Sequence, residues 1–124
     1  HPDTPLAEKV KWSPRDRKTR LELGLRMIAV TRLFIHDVNI AAATSLQALD
    51  SEGREKGVLA GANVVMPNVT DTRYRTSFQL YAGKPCLNEN STLCRGCLER
   101  RIESIGERIL WNERGDSPHW KGRK

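Results

Sequence analysis

Apolar residues recur with a helical period early in the chain. The stretch after Pro14 contains no further proline up to residue 37, and three of its apolar residues share one helix face: Leu21, Leu25 and Ile28. Four more widen that face: Leu23, Met27, Val30 and Phe34. Ser13 suits the N-cap, and Asp16 lies where an acidic side chain meets free backbone amides. The pattern predicts a helix from Pro14 to residue 36 or 37, buried along a broad stripe.

Two short runs of uninterrupted apolar residues follow, at residues 38–43 and 63–66. Such runs are typical of strands buried on both faces of a parallel sheet. The segment between them predicts a helix that begins near Asp50 or Ser51 and ends at Gly61, which suits a left-handed stop. This order of elements indicates βα units. Because two strands alone leave their outer edges unpaired, we expect the last part of a larger βα fold, with an apolar edge and face exposed.

The pattern changes after Asn68. Residues 69–81 predict a short helix capped by Thr70 or Asp71. Residues 95–111 predict an amphipathic helix whose apolar face has four members: Leu98, Ile102, Ile105 and Ile109. The charged, glycine-containing end of the chain predicts irregular structure.

Composition adds limits on function. The 124 residues correspond to one ordinary domain, and the net charge of +6 raises the question of nucleic acid. Lys and Arg alternate with Glu and Asp along predicted helices without interleaved aromatic residues, which is typical of solvated helix faces. No apolar run reaches the roughly 18 residues of a membrane span, and no apolar leader begins the chain. We expect a cytoplasmic protein without a nucleic-acid or membrane partner, and interpret the opening without Met as a fragment.

The cysteines lie in one stretch with the spacing C-x7-C-x2-C: Cys86, Cys94 and Cys97. The C-x2-C pair lets two thiolates meet one metal, and Cys86 can return to the same point across its loop. Zinc would need a fourth ligand, for which His119 is the only downstream histidine. An iron–sulfur cluster is held by thiolates and can leave one iron to a non-protein ligand. Spacing alone leaves open iron–sulfur, zinc and three reduced thiols.

Candidate pocket residues follow both predicted strands at their carboxyl ends, where βα barrels carry their active sites. Thr44 and Ser45 follow the first strand, and Met66 and Asn68 follow the second. Taken singly, each has an ordinary alternative role in a turn or in the core. No Ser-His-Asp set, phosphate loop or carboxylate pair accompanies them.

Three stretches resemble one family: HPDTPL at the start, LRMIAVTRLFIHDVNIAAATSLQALD in the middle, and LAGANVVMPNVTDTRYRTSFQLYAGKPC leading into the cysteine motif. The family is the radical S-adenosylmethionine maturase of [FeFe]-hydrogenase, which is akin to biotin synthase. The resemblance covers nearly all of residues 1–105. Its most specific parts are GANVVMPN, the run from Tyr74 to Tyr81 and the cysteine spacing.

The resemblance implies an α/β fold, the C-terminal portion of a (βα)8 TIM-type barrel with about two parallel strands. Residues 1–69 would belong to the barrel, and residues 70–124 would form a helical extension with the cysteine motif. The complete enzyme would cleave S-adenosylmethionine at a [4Fe–4S] cluster and direct a 5′-deoxyadenosyl radical at an organometallic iron–cysteine substrate. Its partners would be the missing N-terminal part of the barrel and the other hydrogenase maturases.

The resemblance also implies site residues. Cys86, Cys94 and Cys97 match the family's accessory iron–sulfur site, which holds a [2Fe–2S] or a [4Fe–4S] cluster without a fourth protein ligand. The pocket for substrate or S-adenosylmethionine would be lined by three residues: Thr44, Met66 and Tyr81. No catalytic residue is implied.

The chain departs from the family in places. The C-x3-C-x2-C motif of the catalytic cluster is absent, so the chain alone is expected to be inactive. Ala41 and Ala43 replace a proline and a threonine of the family's IPATTA segment, and Phe78 replaces a tyrosine. The alternatives are a biotin synthase-like or methylornithine synthase-like enzyme, which the cysteine motif disfavours, and a zinc-stabilised basic module that binds nucleic acid.

Overall fold

A computed structural model of the chain describes residues 3–10, 14–78, 82–87 and 90–121. This part contains helices and two strands, with these bounds: α1 Pro5–Lys9, α2 Pro14–Phe34, β1 Ala41–Ala42, α3 Thr44–Leu49, α4 Gly53–Leu59, β2 Val64–Val65, α5 Thr72–Arg75, α6 Ser91–Glu103 and α7 Pro118–Lys121. A 3₁₀ turn, Thr76–Phe78, continues α5. Among these described helices, none is both long and apolar enough to cross a membrane.

The two strands are parallel, with Ala41 opposite Val64 and Ala42 opposite Val65. Helices α3 and α4 connect them, so the predicted α/β character with parallel strands is confirmed. The strands are shorter than the apolar runs that predicted them. Each has a single neighbour in the described part of the chain.

One face of α2 supplies the core. Leu21 and Ile28 pack with Ala42, Leu46 and Ala62, which confirms the predicted core face of the helix. The predicted widening of that face is wrong, because its four members are exposed: Leu23, Met27, Val30 and Phe34. A helix that packs on one layer buries a single stripe, and the rest of its apolar surface needs a further neighbour. This exposed apolar face lies on α2, whereas the expectation concerned the edge and face of the two strands, of which Ala41 is exposed, Val64 and Val65 are half-buried and Ala42 is buried.

The helix predicted from Asp50 or Ser51 corresponds to α4, and a separate helix, α3, precedes it. Asp50 separates α3 from α4: its carboxylate accepts a hydrogen bond from the Glu52 amide at 2.8 Å, and its carbonyl accepts one from the Gly53 amide at 2.8 Å. These bonds turn the chain sharply, as a short acidic side chain can do at a turn. The sequence pattern did not predict α3, because the apolar run before it was interpreted as a strand that leads directly into the helix predicted from residue 50.

A polar network fixes the amino ends of the strands. The Asn63 side-chain oxygen accepts bonds from the Ile40 amide at 2.8 Å and from Arg32 at 3.0 Å. Arg32 also donates to the carbonyl of Gly61 at 2.9 Å. Gly61 has a φ of 115°, so the predicted left-handed stop is confirmed. Asn39 donates to the carbonyl of Gly115 at 2.7 Å and thereby brings the end of the chain to this edge.

The end of the chain is more ordered than predicted, because α7 is fastened to Asp37. The His119 ring nitrogen Nδ1 lies 2.9 Å from the Asp37 carboxylate. The His119 amide and the Ser117 hydroxyl donate to the Asp37 carbonyl at 3.0 and 2.6 Å. Three bonds converge on one residue, which explains why a segment of low apolar content keeps a defined position.

This fastening has an expected pH dependence. Loss of hydration raises the pKa of Asp37, but the hydrogen bond and charge of His119 outweigh it and hold that pKa below its ordinary value. A lowered carboxyl pKa contributes stability at pH values above the ordinary one, and this is lost as the pH falls through the lowered value. We expect His119→Ala to raise the pKa of Asp37 towards its ordinary value in an NMR titration. The control is His36→Ala, because His36 has a smaller effect on the pKa of Asp37 than His119 has. An unchanged Asp37 titration in His119→Ala would contradict the assignment.

Candidate metal centre and strand ends

Helix α6 carries two of the three cysteines. Its N-cap is Asn90, whose side chain accepts a hydrogen bond from the Leu93 amide at 2.8 Å. Cys94 and Cys97 are three residues apart and therefore share one helix face. The helix begins four residues earlier than predicted and ends at Glu103. Leu98 and Ile102 are buried as predicted, whereas Ile105 and Ile109 lie beyond the helix end.

All three cysteines are free thiols. Cys94 is 1% exposed, and Cys86 and Cys97 are half-buried. The main-chain amide of Asn68 donates to the Cys94 sulfur at 3.2 Å. Cys86 has a φ of 62°, in the left-handed region that non-glycine residues rarely adopt. Its backbone conformation is therefore held by the surrounding structure.

Arg75 and Asn68 connect the cysteines to the strand end. Arg75 is 1% exposed and donates to three carbonyls, those of Thr70 at 2.7 Å, Cys86 at 2.7 Å and Asn68 at 3.0 Å. The Asn68 side chain adds a longer contact of 3.4 Å to the Cys86 carbonyl. Asp71 caps the helix that carries Arg75, as predicted. The segment after β2, α5, Cys86 and α6 are thus joined by hydrogen bonds.

A second guanidinium lies on the other side of the cysteines. Arg101 forms an ion pair with Glu55, 2.6 Å from Nε to Oε1, and also contacts the Ser51 carbonyl. The hydrogen bond with Glu55 raises the pKa of Arg101 against the lowering effect of lost hydration. Charges on Glu55, Cys97 and Cys86 act in the raising direction as well. Arg101 therefore ties α6, the helix of Cys94 and Cys97, to α4.

The donor set fits an iron–sulfur group better than zinc. Thiolates are the protein ligands of such clusters, and hydrogen bonds to their sulfurs are a feature of cluster sites. Within the described ranges, no three His, Cys, Asp or Glu side chains are grouped closely enough to hold a metal ion, so cluster binding would require the thiols to close up. His119, the alternative zinc ligand, is bound to Asp37 at the amino end of β1. The cysteines contact Asn68, beyond the carboxyl end of β2, which is the opposite edge of a parallel sheet.

Two predicted pocket residues lie at that carboxyl edge. Thr44 begins α3 directly after β1, and Met66 follows β2 directly and is half exposed. Because β1 and β2 are parallel and in register, both residues are at the same edge of the sheet. Tyr81, the third predicted pocket residue, lies outside the described residues.

The open cleft in the structure lies elsewhere. Its volume is about 560 Å³, and its lining includes Asn39, Asn63 and Val64, at the amino ends of the strands. Thr44 and Met66 do not line it. Two strands form only a small part of a barrel wall, so any pocket around Thr44 and Met66 would need walls from a further part of the polypeptide.

Sequence reasoning missed three charged residues that are buried in the described part of the chain: Arg54, Glu55 and Arg75. Burial of arginine is rare, and no periodicity distinguishes these residues from the surface arginines of the chain. Arg75 lies within the run from Tyr74 to Tyr81, which is part of the family resemblance, but the resemblance assigns Arg75 no role. Arg54 is 2% exposed, and its Nε and Nη2 atoms have no hydrogen-bond partner among the described residues.

These features define a class: a parallel βα unit whose carboxyl edge is joined to a segment with three cysteines, two of them on α6. No protein-family model matches the chain. The chain is 40% identical over all 124 residues to the [FeFe] hydrogenase maturase subunit HydE of Thermotoga maritima. The predicted resemblance to the hydrogenase maturases is confirmed. The chain spans 32% of the length of that relative and matches its C-terminal part.

Proposed function

We propose that the chain is the C-terminal part of a radical S-adenosylmethionine enzyme that matures the [FeFe]-hydrogenase active site. The observation that carries the proposal is the 40% identity to a hydrogenase maturase over the whole chain. The name of that relative favours this assignment over a biotin synthase-like or methylornithine synthase-like enzyme. We also propose the substrate, the partner maturases and the cytoplasmic location on the basis of the resemblance.

The proposed architecture is the last portion of a (βα)8 barrel, residues 1–69, followed by the extension of residues 70–124. Two observations support it. β1 and β2 are parallel neighbours linked by helices, as successive barrel strands are. The exposed apolar face of α2 is suited to a neighbouring helix that the remaining polypeptide would supply. The C-x3-C-x2-C motif would also belong to that remaining part, so we expect the chain alone to be inactive.

In this proposal Cys86, Cys94 and Cys97 hold an accessory iron–sulfur cluster. When bound, such a cluster supplies electron transfer or a rigid crosslink. The residues of the chain do three things for it. Burial of Cys94 excludes water from one ligand, the Asn68 amide donates to its sulfur, and Arg101 ties the cysteine helix to α4 through its ion pair with Glu55.

Thr44 and Met66 are proposed to line the pocket for substrate or S-adenosylmethionine, together with Tyr81. Their hydroxyl, thioether and phenol groups would contact the bound molecule and shape the pocket. The sequence motifs place no base next to them. The positions at the carboxyl edge of the strands support this assignment.

The test is metal and acid-labile sulfide content after anaerobic reconstitution of the chain. We expect iron with sulfide in the wild type, and loss of both in each single variant Cys86→Ser, Cys94→Ser and Cys97→Ser. Ser91→Ala, an exposed change on the same helix, is the control and should retain both. One zinc per chain without sulfide would contradict the cluster assignment and favour the zinc-stabilised module.

A further inference from the structure

We propose that Arg75 and Asn68 are positioning residues of the cysteine centre. They hold Cys86 and Cys94 against the carboxyl end of β2, so that the cysteines and the strand end form one mechanical unit. The inference deepens the proposed function, because it concerns the same cysteines, and it adds two residues that the cysteine motif does not contain.

Arg75 gives this unit its rigidity. Its guanidinium is almost fully buried and donates to three carbonyls in two parts of the chain: those of Asn68 and Thr70 after β2, and that of Cys86. Burial of a charged group is costly unless it is hydrogen-bonded, and the planar fork of arginine fixes several acceptors at once. A hydrogen bond from a charged donor is stronger than one between neutral groups. The bonds to Thr70 and Asn68 hold the guanidinium in place, and its bond to the Cys86 carbonyl then fixes Cys86 relative to the segment after β2.

Asn68 contacts both cysteines. Its main-chain amide donates to the Cys94 sulfur, and its side-chain amide contacts the Cys86 carbonyl. Its side-chain oxygen accepts from the Thr70 amide at 3.2 Å, which fixes the rotamer. Asn68 therefore sets the distance between Cys86 and Cys94 and ties both to the end of β2.

The charge of Arg75 has a consequence for the ligand. Arg75 places a guanidinium against the Cys86 carbonyl, and Arg101 lies on the same helix as Cys94 and Cys97. Three thiolates with an iron–sulfur core carry a net negative charge, and cations at close range in a buried setting stabilise it. The site is suited to an anionic cluster rather than to a neutral group.

The arrangement also connects the centre to the proposed pocket. Met66 lies two residues before Asn68, with Pro67 between them. A change in the position of Asn68 is passed to Met66 through a chain segment that proline stiffens. Loading of the cysteine centre is therefore expected to steady the carboxyl end of β2.

The test compares Arg75→Met, Arg75→Lys and Asn68→Ala with two controls. Arg73→Met removes an exposed arginine of the same helix, and Leu21→Ala weakens the core without contacting the cysteines. The readouts are the alkylation rate of each thiol in the metal-free chain at one fixed pH, followed by mass spectrometry, and the iron and sulfide content after reconstitution.

In Arg75→Met we expect Cys86 and Cys94 to be alkylated about tenfold faster or more, because their protection requires local opening. Cys97 should change less. Iron and sulfide should be lost in Arg75→Met and recovered in part in Arg75→Lys. Asn68→Ala should accelerate alkylation of Cys86 to a smaller extent and change Cys94 less, because the main-chain amide that contacts the Cys94 sulfur remains.

The inference would be overturned if Arg75→Met behaved like Arg73→Met in either readout. It would also be overturned if Leu21→Ala lost as much iron as Arg75→Met while its loss of folding stability was equal or smaller. Arg75 would then act through general stability alone. A wild-type chain without iron and sulfide would contradict the proposed function, and the alkylation rates of the metal-free chain would still decide whether Arg75 positions the thiols.

Discussion

Gly53→Ala is expected to destabilise the protein by about 3 kcal/mol or more. A Cβ atom at residue 53 would lie 2.0 Å from the carbonyl oxygen of Leu46 and 2.9 Å from the backbone nitrogen of Gln47. These atoms belong to the backbone of α3 and cannot move aside as a flexible side chain would. Alanine favours helix over glycine by only about 0.5–1 kcal/mol, so the clash decides the sign.

Chemical unfolding followed by far-UV circular dichroism measures this effect. Gly115→Ala is the matched control, because a Cβ atom there meets nothing within 4 Å. Its free energy of unfolding should lie within about 0.5 kcal/mol of the wild type. Equal stabilities of Gly53→Ala and Gly115→Ala would mean that α3 and α4 do not approach as closely as described.

Leu98→Ala is expected to lower the free energy of unfolding by about 3 kcal/mol, with loss of order in the cysteine helix. The Leu98 side chain is 2% exposed and lies on α6 next to Cys97. Small domains have only about 5–15 kcal/mol of stability in total, so this change removes a large share. Leu93→Ala on the same helix is the control, since its side chain is 59% exposed and its removal should cost little.

Tryptophan fluorescence gives a local measure of this second effect when Trp12 and Trp120, the other tryptophans of the chain, are replaced by phenylalanine in every protein compared. The Trp111 indole donates to the Glu99 carboxylate at 2.8 Å, and the Arg95 guanidinium lies 3.9 Å from its ring centre. Both partners are on α6, so the Trp111 emission should change when that helix loosens. A Leu98→Ala protein as stable as Leu93→Ala, with unchanged emission, would contradict the burial of Leu98.

The relation between the two halves of the chain has a structural basis. The Glu55–Arg101 ion pair and the hydrogen bonds of Asn68 connect α6 to the βα unit. The fastening of His119 to Asp37 adds a third link at the opposite edge of the sheet. Residues 70–124 are thus attached to the proposed barrel portion at several points rather than through one linker.

Local sequence determined several features of this protein. Pro14 marks the start of α2, the spacing of Leu21 and Ile28 marks its core face, and Gly61 marks the stop before β2. Each depends on a backbone preference or on a period within one element, which neighbours in sequence can specify. The order of elements also predicted the parallel pairing, because parallel strands need a crossover helix. The cysteine spacing and the wider resemblance predicted the relationship to the hydrogenase maturases.

Tertiary structure alone decided the rest. The exposure of Met27 and Phe34 depends on which other elements cover α2. The spacing of apolar residues along a helix does not indicate how many neighbouring elements will cover it. The burial of Arg75 depends on three carbonyls that only the folded chain brings together, and its charge would place it at the surface by composition. The same holds for His119, whose partner Asp37 is 82 residues away in sequence. Contacts between distant segments are selected by geometry and hydrogen-bond satisfaction, which no local pattern encodes.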